Sequence, residues 1–189
     1  MRSRIEPEGI FQLKIALSGS SPLIWRRVLV PSNFSLKKLH QVIQIVMGWQ
    51  NSHLYLFLID DVTYTEYELD FEDDSEVKPA SIKLSKVFTI ATQFTYEYDF
   101  GDGWEHSVTL EKALELENTY SYPICIGGGN ACPPEDCGGL RGYYNMLKEM
   151  KTPNDVEHES TKTWLGGFFD PSTFDPNRIN RDMLWEKKW

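Results

Sequence analysis

The chain has 189 residues, the length of one ordinary domain, and a domain of this size can bury a large core without disulfide or metal support. Its 19 Lys and Arg against 28 Asp and Glu give a net charge of −9, which repels nucleic-acid backbones and anionic membrane surfaces. Nucleic-acid-binding and membrane-bound proteins are therefore the two classes that the charge disfavours.

The first residues, MRSRIEPEGI, contain no apolar stretch, and the longest strongly apolar run is LYLFLI, residues 54–59. We therefore expect neither a signal peptide nor a membrane span. The cysteines Cys125, Cys132 and Cys137 are odd in number and crowded together, which argues against a disulfide framework. They favour reduced thiols in a cytoplasmic protein.

The first half of the chain predicts strands around one helix. Alternating apolar residues predict two strands, joined by a Gly/Ser/Pro turn, within residues 9–31. Ser35 can cap a helix whose apolar residues recur at three- and four-residue steps from Leu36 to Met47, and Gly48 supplies its end.

Residues 53–60, HLYLFLID, are apolar on both faces, which predicts a central strand covered on each side. A short strand is expected near Tyr64, followed by an acidic, solvated loop up to residue 80. The stretch 121–142 is rich in Gly, Pro and Cys and is expected to be a loop.

Three helices are predicted after this loop, over residues 140–150, 156–165 and 176–189, with breaks at Pro-containing segments. The sequence contains no internal repeat and no linker. Residues 1–189 therefore predict one α+β domain with a mixed, mostly antiparallel sheet of about five or six strands. One early helix packs on this sheet, and about three helices form a C-terminal group.

The stretch YEYDFGDGWEHSV predicts a β-hairpin. A loop at residues 101–103 would pair Phe100 with Trp104 and Tyr98 with His106, and it makes one face wholly apolar and the other wholly polar. A register shifted by one residue mixes the two faces, so we favour the first.

This register directs His106 toward the core beside Tyr98, where a lone histidine is usually a packed residue and less often a functional imidazole. It also makes Asp99 and Glu105 cross-strand neighbours on the polar face. Either solvent screens the repulsion between the two carboxylates, or a cation or a hydrogen-bond donor binds between them.

The cysteine loop, as we call the Gly-, Pro- and Cys-rich residues 121–142, offers metal-ligating residues. Cys132 and Cys137 lie at a spacing that zinc sites allow, with Cys125 seven residues upstream of Cys132. His106, His53 or Asp136 could supply the fourth zinc ligand. The opposing interpretation is a rigid loop that borders a pocket, since prolines stiffen it and acidic residues cap its amides.

A third interpretation makes Cys137 a nucleophile. It lies just ahead of a predicted helix, whose amide dipoles would stabilise a thiolate. Glu135 and Asp136 beside it act in the opposite direction, since their negative charge favours the protonated thiol.

Several segments together resemble one family, named for the third open reading frame of plasmid pRiA4b. They are IWRRVLVP, HQVIQIVMGWQNSHLYLF, YEYDFGDGWEHSVTLEK, YPICIGGGNACPPEDCGG with GYYNML, and WLGGFFDPSTFDPNRIN. The resemblance implies a compact α+β domain found on chromosomes and mobile elements of bacteria and archaea, and it implies no particular reaction. Some members carry a resolvase-like label, which the acidic charge and the lack of a basic arm disfavour here.

The leading hypothesis is a binding or accessory module for a small ligand or a protein partner, with a pocket where three segments converge: the start of the central strand, the hairpin turn and the cysteine loop. The candidate pocket residues are His53, Asp99, Asp102, His106, Glu135, Asp136 and Cys137. The candidate metal ligands are Cys132, Cys137 and His106, with zinc as the expected ion.

Two further hypotheses come from other classes. A metal-dependent hydrolase would use Asp99, Asp102, Glu105 or His106 as ligands and Glu135 as general base. A protein-interaction module would instead use the aromatic residues of the C-terminal tail, notably Trp185 and Trp189.

Overall fold

The computed structural model describes residues 9–68, 76–116, 122–152 and 156–186. These residues form eight strands and five helices. In chain order they are β1 Ile10–Leu17, β2 Trp25–Pro31, α1 Leu36–Met47, β3 Tyr55–Ile59, β4 Val62–Thr65, β5 Val77–Pro79, α2 Leu84–Val87, β6 Gln93–Tyr98, β7 Trp104–Leu114, β8 Ile124–Gly129, α3 Gly139–Glu149, α4 Val156–Trp164 and α5 Pro176–Glu186.

The strands form one sheet in the order β5-β4-β3-β6-β7-β1-β2-β8. Every neighbouring pair is antiparallel except β4 and β5. The predicted α+β class and the three C-terminal helices are confirmed. The strand count of eight exceeds the predicted five or six, because β5 and β8 carry no alternating apolar pattern and were not expected as strands.

Helix α1 lies across one face of the sheet. Ser35 accepts a hydrogen bond from the Lys38 amide at its start, and Gly48 ends it in the left-handed conformation at φ 80°, as predicted. Its buried face hydrogen-bonds to two strands, since the Val46 carbonyl accepts from Arg26 of β2 and Gln44 donates to Tyr96 of β6. The core therefore lies between α1 and this face of the sheet.

The opposite face of the sheet is only partly covered, which corrects the prediction for the central strand. In β3, Tyr55, Phe57 and Ile59 are buried, whereas Leu58 is 43% exposed. The apolar run therefore predicts the strand correctly but not its two-sided burial.

The hairpin of β6 and β7 keeps the predicted faces but has a different register. Tyr98 pairs with Trp104 and Tyr96 with His106, so the connecting loop spans residues 99–103. The loop begins early because Asp99 adopts a left-handed conformation at φ 57°, which ends the strand pairing after Tyr98. The predicted pairing of Asp99 with Glu105 is wrong, since Glu97 is the residue opposite Glu105.

No helix in the described part of the chain is both long and apolar enough to cross a membrane.

Candidate functional site

Three loops meet at one end of the sheet: residues 49–54 before β3, residues 99–103 between β6 and β7, and residues 130–138 before α3. His53 Nε2 lies 2.9 Å from Asp136 Oδ1 and 3.6 Å from Asp99 Oδ2. We call His53, Asp99 and Asp136 the His53 site. One residue of this site comes from each loop, which agrees with the predicted convergence of the three segments.

The hydroxyl of Tyr98, the last residue of β6 before the hairpin loop, bonds to the other two loops. It accepts hydrogen bonds from the amides of Ser52 at 2.9 Å and His53 at 3.3 Å, and it donates to Glu135 Oε1 at 2.5 Å. Burial, together with the nearby Glu135 carboxylate, raises the pKa of Tyr98 well above its ordinary value. The group therefore stays a neutral donor that holds the loops in place.

A second set of contacts fixes the hairpin loop to the cysteine loop. Asp102 Oδ2 accepts a hydrogen bond from the Gly138 amide at 3.1 Å. A Cβ atom on Gly139 would lie 2.4 Å from the Asp102 carbonyl oxygen, so only glycine permits this approach. Asp102 therefore positions the two loops and does not belong to the His53 site.

A closed ring of polar groups, buried except at Asn51, supports the loop that carries His53. Gln44 donates to the Tyr96 hydroxyl at 3.0 Å, and this hydroxyl lies 2.8 Å from His40 Nδ1. His40 Nε2 lies 2.7 Å from the Asn51 side-chain oxygen, and the Asn51 amide donates to Gln44 Oε1 at 3.0 Å. Every group is satisfied when His40 is neutral and carries its proton on Nε2, which fits its buried position.

The ligand atoms of the His53 site lie within 4.8 Å of one another. Asp99 is well placed to act as a ligand, because its Oδ1 accepts from the Gly101 amide at 3.0 Å while Oδ2 faces His53. The side chains of Asp99, His53 and Asp136 are 11%, 31% and 67% exposed. An ion could therefore reach this site from solvent.

His106 lies outside the site, which corrects its place among the candidate pocket and metal residues. The side chain is fully buried, its Nδ1 lies 3.0 Å from the Trp104 carbonyl oxygen, and its ring packs against Trp49 and Tyr96. Burial lowers the pKa of His106 to about 4. The inward orientation predicted from the hairpin is correct, and it makes His106 a neutral core residue.

The predicted Cys132, Cys137 and His106 metal site does not assemble. Among the described residues, the group of His, Cys, Asp and Glu close enough to share an ion is the His53 site. Cys132 Sγ instead lies 3.3 Å from Met47 Sδ, and Cys137 Sγ lies 3.9 Å from the Gly139 carbonyl oxygen. The three cysteines of the chain are unpaired.

Cys137 has the electrostatics of a poor nucleophile. Burial, and then the carboxylates of Asp102 and Asp136, raise its pKa to about 12. The thiol is therefore protonated at neutral pH, and the nucleophile interpretation loses its physical basis.

Glu135 is not free to act as a general base. Its Oε1 accepts from Tyr98, and its Oε2 accepts from the Gln50 amide at 2.8 Å. Both oxygens are engaged in holding the cysteine loop against the rest of the site. Glu105 is the remaining predicted ligand of the hydrolase hypothesis. It is exposed on β7 and pairs across the strands with Glu97 of β6.

Known proteins resemble this chain in sequence and in fold. The family model described as plasmid pRiA4b ORF-3-like protein matches residues 9–178. The chain belongs to this family. The resemblance predicted from the sequence motifs is therefore confirmed.

Two relatives match this pRiA4b ORF-3-like chain over about nine tenths of its length. The uncharacterised protein y4hQ of Sinorhizobium fredii is 34% identical over 174 residues, which cover 91% of this chain and 89% of that protein. The crystal structure of MM3350 from Methanosarcina mazei Go1, a protein of unknown function, has 38% identity and a TM-score of 0.82. It covers 92% of this chain and 97% of its own.

The residues that hold the site of this pRiA4b ORF-3-like protein together were not predicted from its sequence. They are Gln44, Gln50, Asn51, Tyr96 and Tyr98. All are neutral, so charge and ligand spacing do not reveal them. What reveals them is the backbone of the three loops. Asn51, Asp99 and Asp136 each adopt a left-handed conformation, which turns the loops toward one another.

The C-terminal aromatic residues bear on the interaction hypothesis. Trp185 on α5 is 89% exposed, with Leu184 beside it 58% exposed, whereas Trp189 lies outside the described residues. Exposure alone does not indicate what such a surface would contact.

Proposed function

We propose that this protein is a metal-binding module whose His53 site takes one divalent cation, with zinc as the first choice. The observation that carries the proposal is the grouping of three ligand atoms from three separate loops within 4.8 Å. A histidine nitrogen with two carboxylates is a donor set that zinc and related first-row ions accept.

The spacing of the donor atoms fits such an ion. Ligand atoms about 2.0 Å from a tetrahedral zinc lie about 3.3 Å apart. The two distances from His53 Nε2, 2.9 Å and 3.6 Å, lie on either side of this value. Three protein ligands leave a fourth position open, so the ion would bind an exchangeable small ligand in addition.

Zinc titration of chelator-treated protein, followed by isothermal calorimetry, tests the proposal. We expect one ion per chain, and we expect His53→Ala and Asp99→Asn each to weaken binding by about tenfold or more. Asp61→Asn is the matched control, because Asp61 is also a left-handed aspartate, in the β3–β4 turn. Zinc binding that is absent, or unaffected by Asp99→Asn, would refute the proposal.

A metal-dependent hydrolase is the second candidate. Its support is a groove of about 430 Å³ beside the site, lined by Asp136, Cys137, Asn145, Glu149 and Trp164 among others. A substrate in this groove would lie beside Asp136, one of the three residues that would hold the ion. Because both oxygens of Glu135 are engaged, this candidate would need the ion to acidify the attacking water without a carboxylate base. Zinc-dependent turnover of a panel of ester, amide and phosphoester substrates, lost in His53→Ala, would favour this candidate.

A further inference from the structure

Arg26 is a buried arginine whose charge is not balanced by an acidic side chain. The residue is 3% exposed, and among the described residues it forms no salt bridge. Its Nε donates to the Val46 carbonyl at 2.9 Å, and its Nη1 donates to the Trp25 and Gly129 carbonyls at 2.8 Å and 3.1 Å. Three neutral carbonyls hold the guanidinium in place without neutralising it.

The same guanidinium lines a cavity of about 580 Å³. The cavity lies between β2, the end of α1, the cysteine loop and residues 168–182. No described group accepts a hydrogen bond from Arg26 Nη2, so this nitrogen remains available to a molecule in the cavity. A guanidinium nitrogen that has no protein partner at the wall of a cavity is a strong recognition element for an oxyanion.

Aromatic side chains form part of the cavity wall, and one of them packs closely against Arg26 and β8. The Arg26 guanidinium lies 5.0 Å from the centre of the Phe174 ring. A Cβ atom on Gly128 would lie 2.4 Å from that ring, so glycine in β8 is what allows Phe174 to approach. Phe168, which is 88% exposed, and Phe169 also line the cavity. A ligand here would place an apolar or aromatic body against these rings.

The rim of the cavity has the opposite charge to its floor. Asp170, Asp175 and Asp182 line the rim and are exposed, together with Arg178. One oxygen of each of two of them is already committed, since Asp170 Oδ1 accepts from the Ser172 amide and Asp175 Oδ1 accepts from the Asn177 amide. An acidic rim disfavours a second negative charge at the outer end of a ligand.

From this arrangement we infer that the cavity is a second binding site, separate from the His53 site, for a small monoanion with an aromatic or apolar body. The anionic group, a carboxylate or a similar oxyanion, lies inward and accepts from Arg26 Nη2. The body packs on Phe174 and Phe168, and the outer end is neutral or cationic. No residue of the His53 site lines the cavity, so the inference does not depend on the proposed metal.

Saturation-transfer NMR with benzoate and benzamide tests the inference, because the two probes share a ring and differ in the charge of the polar group. We expect benzoate to bind at least about tenfold more tightly than benzamide. Terephthalate, which carries a second carboxylate, should bind more weakly than benzoate. Equal binding of benzoate and benzamide, or no saturable binding of either, would overturn the inference.

Two neighbouring arginines provide a matched pair of variants. Arg26→Met should abolish the preference for benzoate, whereas Arg27→Met should retain it, because Arg27 is bound to Glu111 at 2.6 Å and lies on the opposite face of β2. If Arg26→Met does not fold, Thr173→Trp replaces it, since Thr173 is exposed and lines the cavity. A tryptophan at this position should exclude benzoate, and benzoate binding unaffected by it would contradict the assigned cavity.

Discussion

Tyr98 shows how one neutral hydroxyl can hold two loops together. Its oxygen accepts from two amides before β3 and donates to Glu135 of the cysteine loop. These bonds determine where His53 and Asp136 lie, although Tyr98 does not face an ion itself. In the proposed metal site Tyr98 is therefore a positioning residue.

We predict that Tyr98→Phe lowers the free energy of unfolding by about 2 kcal/mol and weakens zinc binding by about tenfold. The physical reason is that two amides and one carboxylate oxygen lose their partner while the ring still fills its place. Chemical denaturation and calorimetric zinc titration measure the two effects.

Tyr55→Phe is the control for this prediction. The Tyr55 hydroxyl donates to Glu66 at 2.9 Å, away from the three loops, so its removal should lower stability by about 1 kcal/mol without changing zinc affinity. Equal zinc affinities in Tyr98→Phe and the unaltered protein would contradict the positioning role.

For individual residues, the sequence predicts which charged side chains form the site better than it predicts how they are oriented. His53, Asp99 and Asp136 were all candidate pocket residues, because unusual polar side chains cluster in their segments. The hairpin pattern placed Asp99 on the exposed face, since alternation assumes that the strand continues. The left-handed turn at Asp99 instead directs it toward His53, and alternation cannot encode such a turn.

Among the elements, the junction between the hairpin loop and α3 depends on backbone contact. Gly139 begins α3 and lies against the Asp102 carbonyl, and the Gly138 amide donates to the Asp102 side chain. Backbone contact and this hydrogen bond thus hold the start of a helix against the turn of a hairpin.

We predict that Gly139→Ala lowers the free energy of unfolding by about 2 kcal/mol more than Gly103→Ala does. The two glycines share a φ of 65°, but a Cβ atom at Gly103 would contact nothing within 4 Å. The common cost, about 1 kcal/mol, is the left-handed backbone, and the difference is the clash with Asp102. Urea denaturation of both variants measures it, and equal losses would show that the contact is not required.

Element boundaries follow from local signals where those signals are strong. Helix α1 was predicted to its ends because Ser35 and Gly48 supply the cap and the stop. Strand β8 was missed because half of ICIGGG is glycine, which is rare in strands. Its glycines are explained by tertiary packing against Trp25 and Phe174, and a single sequence does not reveal that packing.

For the whole molecule, two buried histidines connect folding to pH. Burial lowers the pKa of His40 and of His106 to about 4. In the unfolded chain both histidines titrate near their ordinary pKa of 6.5, so between pH 6.5 and pH 4 the unfolded state binds more protons. Stability is therefore fully present above the unfolded pKa and is lost as the pH falls through this window.

We predict that the two histidines together remove about 4 kcal/mol of stability between pH 7 and pH 5, about 2 kcal/mol each. His106→Phe should halve that difference, because one titrating group is gone. Val108→Ala, in the same strand, is the control, since it lowers stability without removing a titratable group. Urea denaturation at several pH values measures the slope, and an unchanged slope in His106→Phe would contradict the assignment.

The position of β1 in the sheet has a consequence for synthesis. β1 lies between β2 and β7, and its pairing with β7 extends from Ile10 opposite Leu114 to Leu17 opposite His106. While the chain grows from its N terminus, the β1–β2 hairpin can form early, but the other edge of β1 stays unpaired until the ribosome has released β7. A ribosome that stalls before β7 would therefore leave this edge open to pairing with other chains, so chaperones are most needed in that interval.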